Sequence, residues 1–300
     1  MKRNKWTALS KEYSDALVEY AAIIRPAESS DKMPALIDRY IAEAAPTLAE
    51  NSAKLYRGIA DRLKKVFSEM YPHQVKPIHV AQLLDKYRDH PAKANAARNV
   101  LKQVFSKAVL WGMTETNPVQ FVPRLRMTAR DRYLTDTEFK TIHERASPTM
   151  RAIMDILYLT GQRIGDVLSI RHADIEPDGV FFRQQKTKNR LKVIMSDDLR
   201  AAIATARRLH QSVKGMTLFH TRQGSKLTYS TVLELWRRAT NAAGVENANI
   251  HDIRAKAATD AKAQGLDSKK LLGHSSESAH MRYLRSKEIP IAQPVKLKKS

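Results

Sequence analysis

Apolar residues recur at three- and four-residue intervals through the first third of the chain. Ile37, Tyr40, Ile41 and Ala44 form one set, Ile59, Leu63, Val66 and Met70 a second, and Ala97, Val100, Leu101, Val104, Phe105 and Ala108 a third. Side chains so spaced line one face of an α-helix, and Gly112 supplies a stop after the last set. Residues 31–116 therefore predict a helical domain, with 1–30 as an N-terminal segment. Between 117 and 132 the periodicity lapses: NPVQFVPRLRMTARDR carries two prolines and four arginines and predicts a linker whose basic character suits a strap along a phosphate backbone.

A new domain starts at once. Thr135 and Glu138 have the spacing of a capping box, with Leu134 and Phe139 at the positions of a hydrophobic staple. Ile153, Ile156, Leu157 and Thr160 mark a helix ending at Gly161, and a further helix is expected through Val167, Leu168 and Arg171. The period then changes from helical to alternating. GVFFRQQ and RLKVIMS, with Leu191, Val193 and Met195 on one face, predict a β-hairpin with the basic tip KTKN between them. Helices resume at about 197–213 and 230–243. The second domain is expected over 133–285, followed by a tail over 286–300 that is rich in Pro and Lys.

Composition narrows what such a chain can do. Fifty-two Lys and Arg against 31 Asp and Glu give a net charge of +21, shared between the two halves of the 300 residues. A field of that sign attracts a polyanion, and nucleic acid comes first because phosphate neutralisation supplies most non-specific affinity. The blander reading is a generically basic protein of ribosomes or anionic membranes. On the helical domain Arg57, Lys64, Lys65, Arg98 and Lys102 occupy polar faces and are candidate DNA contacts, or else a solvated surface. Cys is absent, which excludes disulfides, thiol catalysis and Cys-based metal sites. With no apolar run of about 18 residues and no secretory signal, a cytoplasmic protein without a membrane partner is expected.

Four segments of the second domain carry groups that could do chemistry. In TGQRIGDVLSI, Gly161 breaks one helix and Arg163 stands at the mouth of the next, with Asp166 positioned to hold it. The hairpin tip offers Lys186, with Lys188, Arg190 and Lys192 nearby, either as a solvated tip or as a lysine that can give up a proton, which an arginine cannot. NIHDIRAKAATDA puts His251 and Arg254 three apart on a helix's first turn, an arrangement that favours phosphate over a metal cation. LLGHSSESAHMRYLR contains His274 and Tyr283, which an unbroken helix would place on opposite faces. A break at Gly273, Ser275 and Ser276 is needed to bring them together.

In this order the four segments resemble the tyrosine recombinases, also called phage integrases. TGQRIGDVLSIRHADI resembles the family's first arginine box, QQKTKN its hairpin-lysine motif, HDIR its His-x-x-Arg box, and LLGHSS with Tyr283 nine residues beyond His274 its nucleophile region. Ala255 and Lys256 depart from the His or Arg followed by Ser or Thr that usually continues the His-x-x-Arg box. The resemblance implies a mainly α fold with a small β-hairpin or sheet, made of a helical core-binding domain and a mixed α/β catalytic domain. The segment before residue 31 is expected to be too short for an arm-site domain with a core of its own.

The resemblance also implies site-specific cutting and rejoining of DNA through a 3′-phosphotyrosyl intermediate, with no cofactor, metal or ATP. Arg163, Lys186, His251, Arg254 and His274 would serve the nucleophile Tyr283, whose hydroxyl type ordinarily ionises near about pH 10 and needs cationic surroundings and a base. The partners implied are double-stranded DNA with specific recombination sites, a homo-tetramer formed on it by exchange of the tail bearing Ile289, Ile291 and Val295, and DNA-bending accessory proteins. Phage or genomic-island integration and excision is the leading role. Dimer resolution by the same chemistry, a type IB topoisomerase and a non-catalytic DNA-binding protein are the alternatives.

Overall fold

The computed structural model describes residues 8, 10–13, 15–16, 31–128, 130, 132–209, 215–274, 276–281 and 283–284. The tail 286–300, most of segment 1–30 and Ser275 lie outside them. The chain divides into two units, Met1–Ala129 and Arg130–Ser300.

The first unit is helical: α1 (Met33–Ala44), α2 (Glu50–Val66), α3 (Pro77–Lys86) and α4 (Pro91–Leu110). Ile37, Ile59, Leu63, Val100, Leu101, Val104 and Phe105 are buried together, as their spacing predicts. One position differs. Val66 is 40% exposed and Phe67, the next residue, is buried at 1%. The larger ring gains more from leaving water, and the end of α2 at Val66 frees the backbone to turn it inward.

Arg98 corrects another expectation. It is buried rather than on a polar face, and its guanidinium donates to the carbonyls of Val122 (2.7 Å) and Val119 (3.1 Å), so it holds its own chain. Lys64 is engaged by Asp38 at 2.8 Å and Asp61 at 3.3 Å. Arg57, Lys65 and Lys102 are exposed.

Within the segment 117–132, expected as a linker, the division between the units falls at 129/130, and each end is bonded to its own unit. Asn117 caps a 3₁₀ turn at Pro118–Phe121, Val119 and Val122 are buried in the first core, and Asn95 pairs with both backbone groups of Leu125. At its far end Arg130 grips Asp252 through two bonds of 3.1 and 2.8 Å, and Arg132 donates to Glu138 at 2.8 Å. A buried carboxylate competes for these arginines, which leaves neither as a free strap.

The second unit runs α5 (Asp136–Arg145), α6 (Pro148–Thr160), α7 (Ile164–Val167), β1 (Ile175–Glu176), β2 (Gly179–Arg183), β3 (Arg190–Ile194), α8 (Asp197–Arg208), α9 (Tyr229–Ala242), α10 (Ile250–Ala263), α11 (Ser268–Leu272) and α12 (Glu277–Met281). The capping box forms as read, Thr135 Oγ accepting from Glu138 N while Glu138 accepts from Thr135 N. The strands make an antiparallel sheet in the order β1-β2-β3, with Val180 opposite Val193 and Phe182 opposite Leu191. The helix expected through Arg171 stops at Val167, because Arg171 instead bridges to Thr217 as extended chain. The core gathers Ile153, Met154, Leu157, Val167, Val180, Phe182, Ile203, Trp236 and Ile253.

Candidate active site

Each candidate side chain leaves the core at the end of an element. α6 terminates at Gly161 in the left-handed region (φ 61°), and a Cβ there would lie 3.1 Å from Leu272 Cδ2. Glycine meets both constraints at once. Two residues later Arg163 occupies the N-cap position of α7, its side chain 18% exposed. Its guanidinium reaches Gln184 Oε1 at 3.4 Å and Asp166 Oδ2 at 3.8 Å. Asp166 also accepts from the backbone N–H of Gln185 at 2.8 Å, so it ties α7 to the hairpin as well as facing Arg163.

The hairpin tip closes through Gln184 N–H to Asn189 O (2.9 Å) and Lys188 N–H to Gln184 O (2.8 Å), with Lys188 at φ 60°. Lys186 stands exposed on this tip. α10 is capped by Asn249, which accepts from His251 N–H at 2.9 Å, while Asp252 accepts from Asn249 N–H at 2.8 Å. This cap points the first turn, with His251 and Arg254, into the site. α11 ends at Gly273 (φ 64°), His274 follows, and Tyr283 comes just beyond the short α12. The break demanded by the nine-residue spacing is therefore present.

Three of the other five candidates converge on the Tyr283 ring. His251 Nε2 lies 3.1 Å from the Tyr283 hydroxyl, the His274 ring centroid is 4.8 Å from that of Tyr283, and the Arg254 guanidinium carbon is 5.1 Å from it. Arg254, only 1% exposed, donates to Gly161 O (2.5 Å) and Leu272 O (3.0 Å) and lies 3.0 Å from His274 Nε2. Its Nε and His274 Nδ1 are buried with no acceptor among the described residues.

The electrostatics follow from this crowding. Burial, then repulsion from Arg163, lowers Arg254 to about 10. Burial, then Arg254, Arg163 and His280, lowers His274 to about 4. His251 is lowered as well, first by lost hydration, then by Arg254 and Arg163 and more weakly by Lys186, with Asp252 opposing. Positive charge is thus concentrated where both imidazoles stay neutral near pH 7, an arrangement that favours an arriving anion and leaves His251 free to accept a proton.

Sequence reasoning passed over Gln162 and Gln184, both fully buried between these segments, although an amide beside an arginine box and one beside a lysine tip were visible in the chain. It also noted Lys256 only as a departure. Lys256 is 2% exposed and bonds Asp136, Asp260 (2.9 Å) and Tyr133 (3.1 Å). Burial alone would lower its pKa, but these partners raise it. Tyr158, half-buried and donating to Asp260, is pushed up to about 12. Among the described residues no helix is long and apolar enough to cross a membrane.

Known proteins resemble this chain in sequence and in fold. The chain is 29% identical over 223 residues to the integrase of Escherichia phage HK022, a match covering 69% of this chain and 62% of the relative. It is 26% identical over 219 residues to the integrase of Escherichia phage lambda, covering 68% and 62%. The chain thus spans about three fifths of the length of these curated relatives. A crystal structure of a lambda integrase dimer bound to a COC′ core site aligns with a TM-score of 0.79 at 20% identity, over 96% of this chain and 85% of that one. A lambda integrase tetramer bound to a Holliday junction aligns at 0.77 and 21% identity, over 91% and 90%. At such identities the structural likeness establishes the fold. The model of the phage integrase family matches residues 132–288, which takes in all four chemical segments and more than half of the sequence; the chain belongs to that family.

Proposed function

We propose that this protein is a site-specific DNA recombinase of phage or prophage type, which cuts and rejoins DNA through a 3′-phosphotyrosyl intermediate. The observation that carries the reading is the 3.1 Å approach of His251 Nε2 to the Tyr283 hydroxyl inside a cationic cluster. His251, held neutral, takes the phenolic proton as the Tyr283 oxygen bonds to phosphorus. Arg163 and Arg254 hold the non-bridging oxygens, and His274, once the bound phosphate has raised its pKa, donates to the same phosphate. Preorganised donors of this kind stabilise the charge that grows in the transition state. Lys186 gives a proton to the 5′-oxygen as the phosphorus–oxygen bond breaks. The ester conserves the energy of that bond, so the 5′-hydroxyl of a second strand can displace the tyrosine with no external energy source.

The partners of this reading are double-stranded DNA bearing specific sites, four protomers assembled on it, and DNA-bending accessory proteins. The tail 286–300 would link neighbouring protomers. The relatives are phage and prophage integrases, which favours integration and excision over dimer resolution.

The test is adduct capture on nicked duplexes tiled across the DNA that flanks this reading frame. A detergent-resistant adduct whose peptide contains Tyr283 joined to a 3′-phosphate is expected. Tyr283→Phe should bind the same duplex and form none, and adduct formation by that variant at the normal rate refutes the assignment. Relaxation of a supercoiled plasmid lacking such duplexes would instead identify a topoisomerase.

A further inference from the structure

We propose that Gln162 and Gln184 are positioning residues, whose paired buried amides seat the β2–β3 hairpin, and with it Lys186, against the turn that carries His274. The inference rests on the recombinase reading above and deepens it. Both side chains are fully buried. Gln184 Nε2 donates to Gln162 Oε1 at 2.8 Å and to Leu272 O at 2.9 Å. Gln162 Nε2 donates in turn to Leu271 O at 2.7 Å and Thr160 O at 3.1 Å. Gln184 Oε1 accepts from the Thr187 hydroxyl at 2.7 Å and from Arg163 at 3.4 Å. One amide pair therefore joins the end of α6, the end of β2, the tip beyond it and the last turn of α11.

Two further features point to the same junction. A Cβ on Gly273 would come within 2.7 Å of Gln184 Nε2, so the backbone beside His274 lies directly against this amide. Asn189, on the other limb of the tip, donates to Gly273 O at 3.3 Å. Lys186 itself is exposed, and it lies between two residues, Gln184 and Asn189, that are both fastened to the His274 turn. Without those anchors a lysine on an exposed tip would sample many positions. With them, its proton is delivered from a fixed origin.

The role predicts a selective defect that loss of packing would not produce. In Gln184→Met the volume is nearly kept, and Leu272 O retains its bond from Arg254. The rate of Tyr283 adduct formation on the captured nicked duplex should fall about ten- to a hundred-fold, the scale of a misplaced catalytic group. The same duplex made with sulfur in place of the scissile 5′-oxygen releases a thiolate, which departs without needing a proton. On that DNA the variant should return to within a few-fold of the unmodified protein, as should Lys186→Ala.

The double variant Gln162→Met/Gln184→Met removes the amide pair together, and thermal melting of each protein shows which remain folded. Equal slowing on both duplexes by whichever variant folds, or no slowing on either, overturns the inference. Failure of the unmodified protein to form an adduct on either duplex overturns the recombinase reading instead.

Discussion

His274 offers the sharpest test of the site's electrostatics. Its pKa is lowered to about 4, by burial first and then by Arg254, Arg163 and His280. At pH 7 only about 0.1% would then carry a second proton. Because Arg254 lies 3.0 Å from Nε2, the single proton of the neutral ring belongs on Nδ1. Placing an anion between the guanidinium groups cancels their repulsion, so inorganic phosphate should raise the pKa toward the ordinary histidine value, and Arg163→Met should raise it in part.

Imidazole resonances followed by NMR across pH 3–8 measure both shifts. Titration near about 6.5 in the free protein, or no response to phosphate, would refute the account. Stability follows with a definite sign. The folded pKa lies below the unfolded one, so the contribution is complete above about pH 6.5 and is lost as pH falls through about 4. The shift corresponds to about 3 kcal/mol at most, and solvent screening on the ring's open side trims that to about 2 kcal/mol. The lowered His251 acts in the same direction.

Three more outcomes follow from the contacts. Arg98→Ala should cost about 3 kcal/mol in urea unfolding of the first unit, because two buried carbonyls lose a charged donor, while a direct DNA contact would show as weaker binding at unchanged stability. Lys256→Met should cost about 3–5 kcal/mol by removing the buried ammonium that bonds Asp260 and Asp136, and adding Asp260→Asn should recover part of it. Arg254→Lys should retain DNA binding in a mobility-shift assay yet slow cleavage about 10²-fold, since an ammonium cannot hold two carbonyls and a phosphate at once.

The chain announced its helices where burial and periodicity agree, as in the face from Ala97 to Ala108. The capping box at Thr135 was equally plain, because capping depends on a local spacing. The chemical segments could be read for the same reason: Gly161, the hairpin and the break after Gly273 are written in neighbouring residues. What stayed hidden depends on partners distant in sequence. Arg98 looks like a surface cation until Val119 and Val122 return to it, and Arg130 looks like a strap until Asp252 comes within reach. The amides of Gln162 and Gln184 meet 22 positions apart, and no periodicity records such a meeting. Val66 and Phe67 differ from expectation because a helix end lets packing volume override the heptad-like spacing.

The carbonyl at Gly161 turns α6 into a gauge. That helix is 13 residues long, and its final peptide oxygen must arrive where the Arg254 guanidinium can meet it at 2.5 Å. Inserting or deleting one residue anywhere along it would swing the terminus by about 100° and slide it by about 1.5 Å. No reactive group would be lost, yet the guanidinium would lose one of its two carbonyl anchors. The geometry therefore constrains the length of this helix more tightly than its composition.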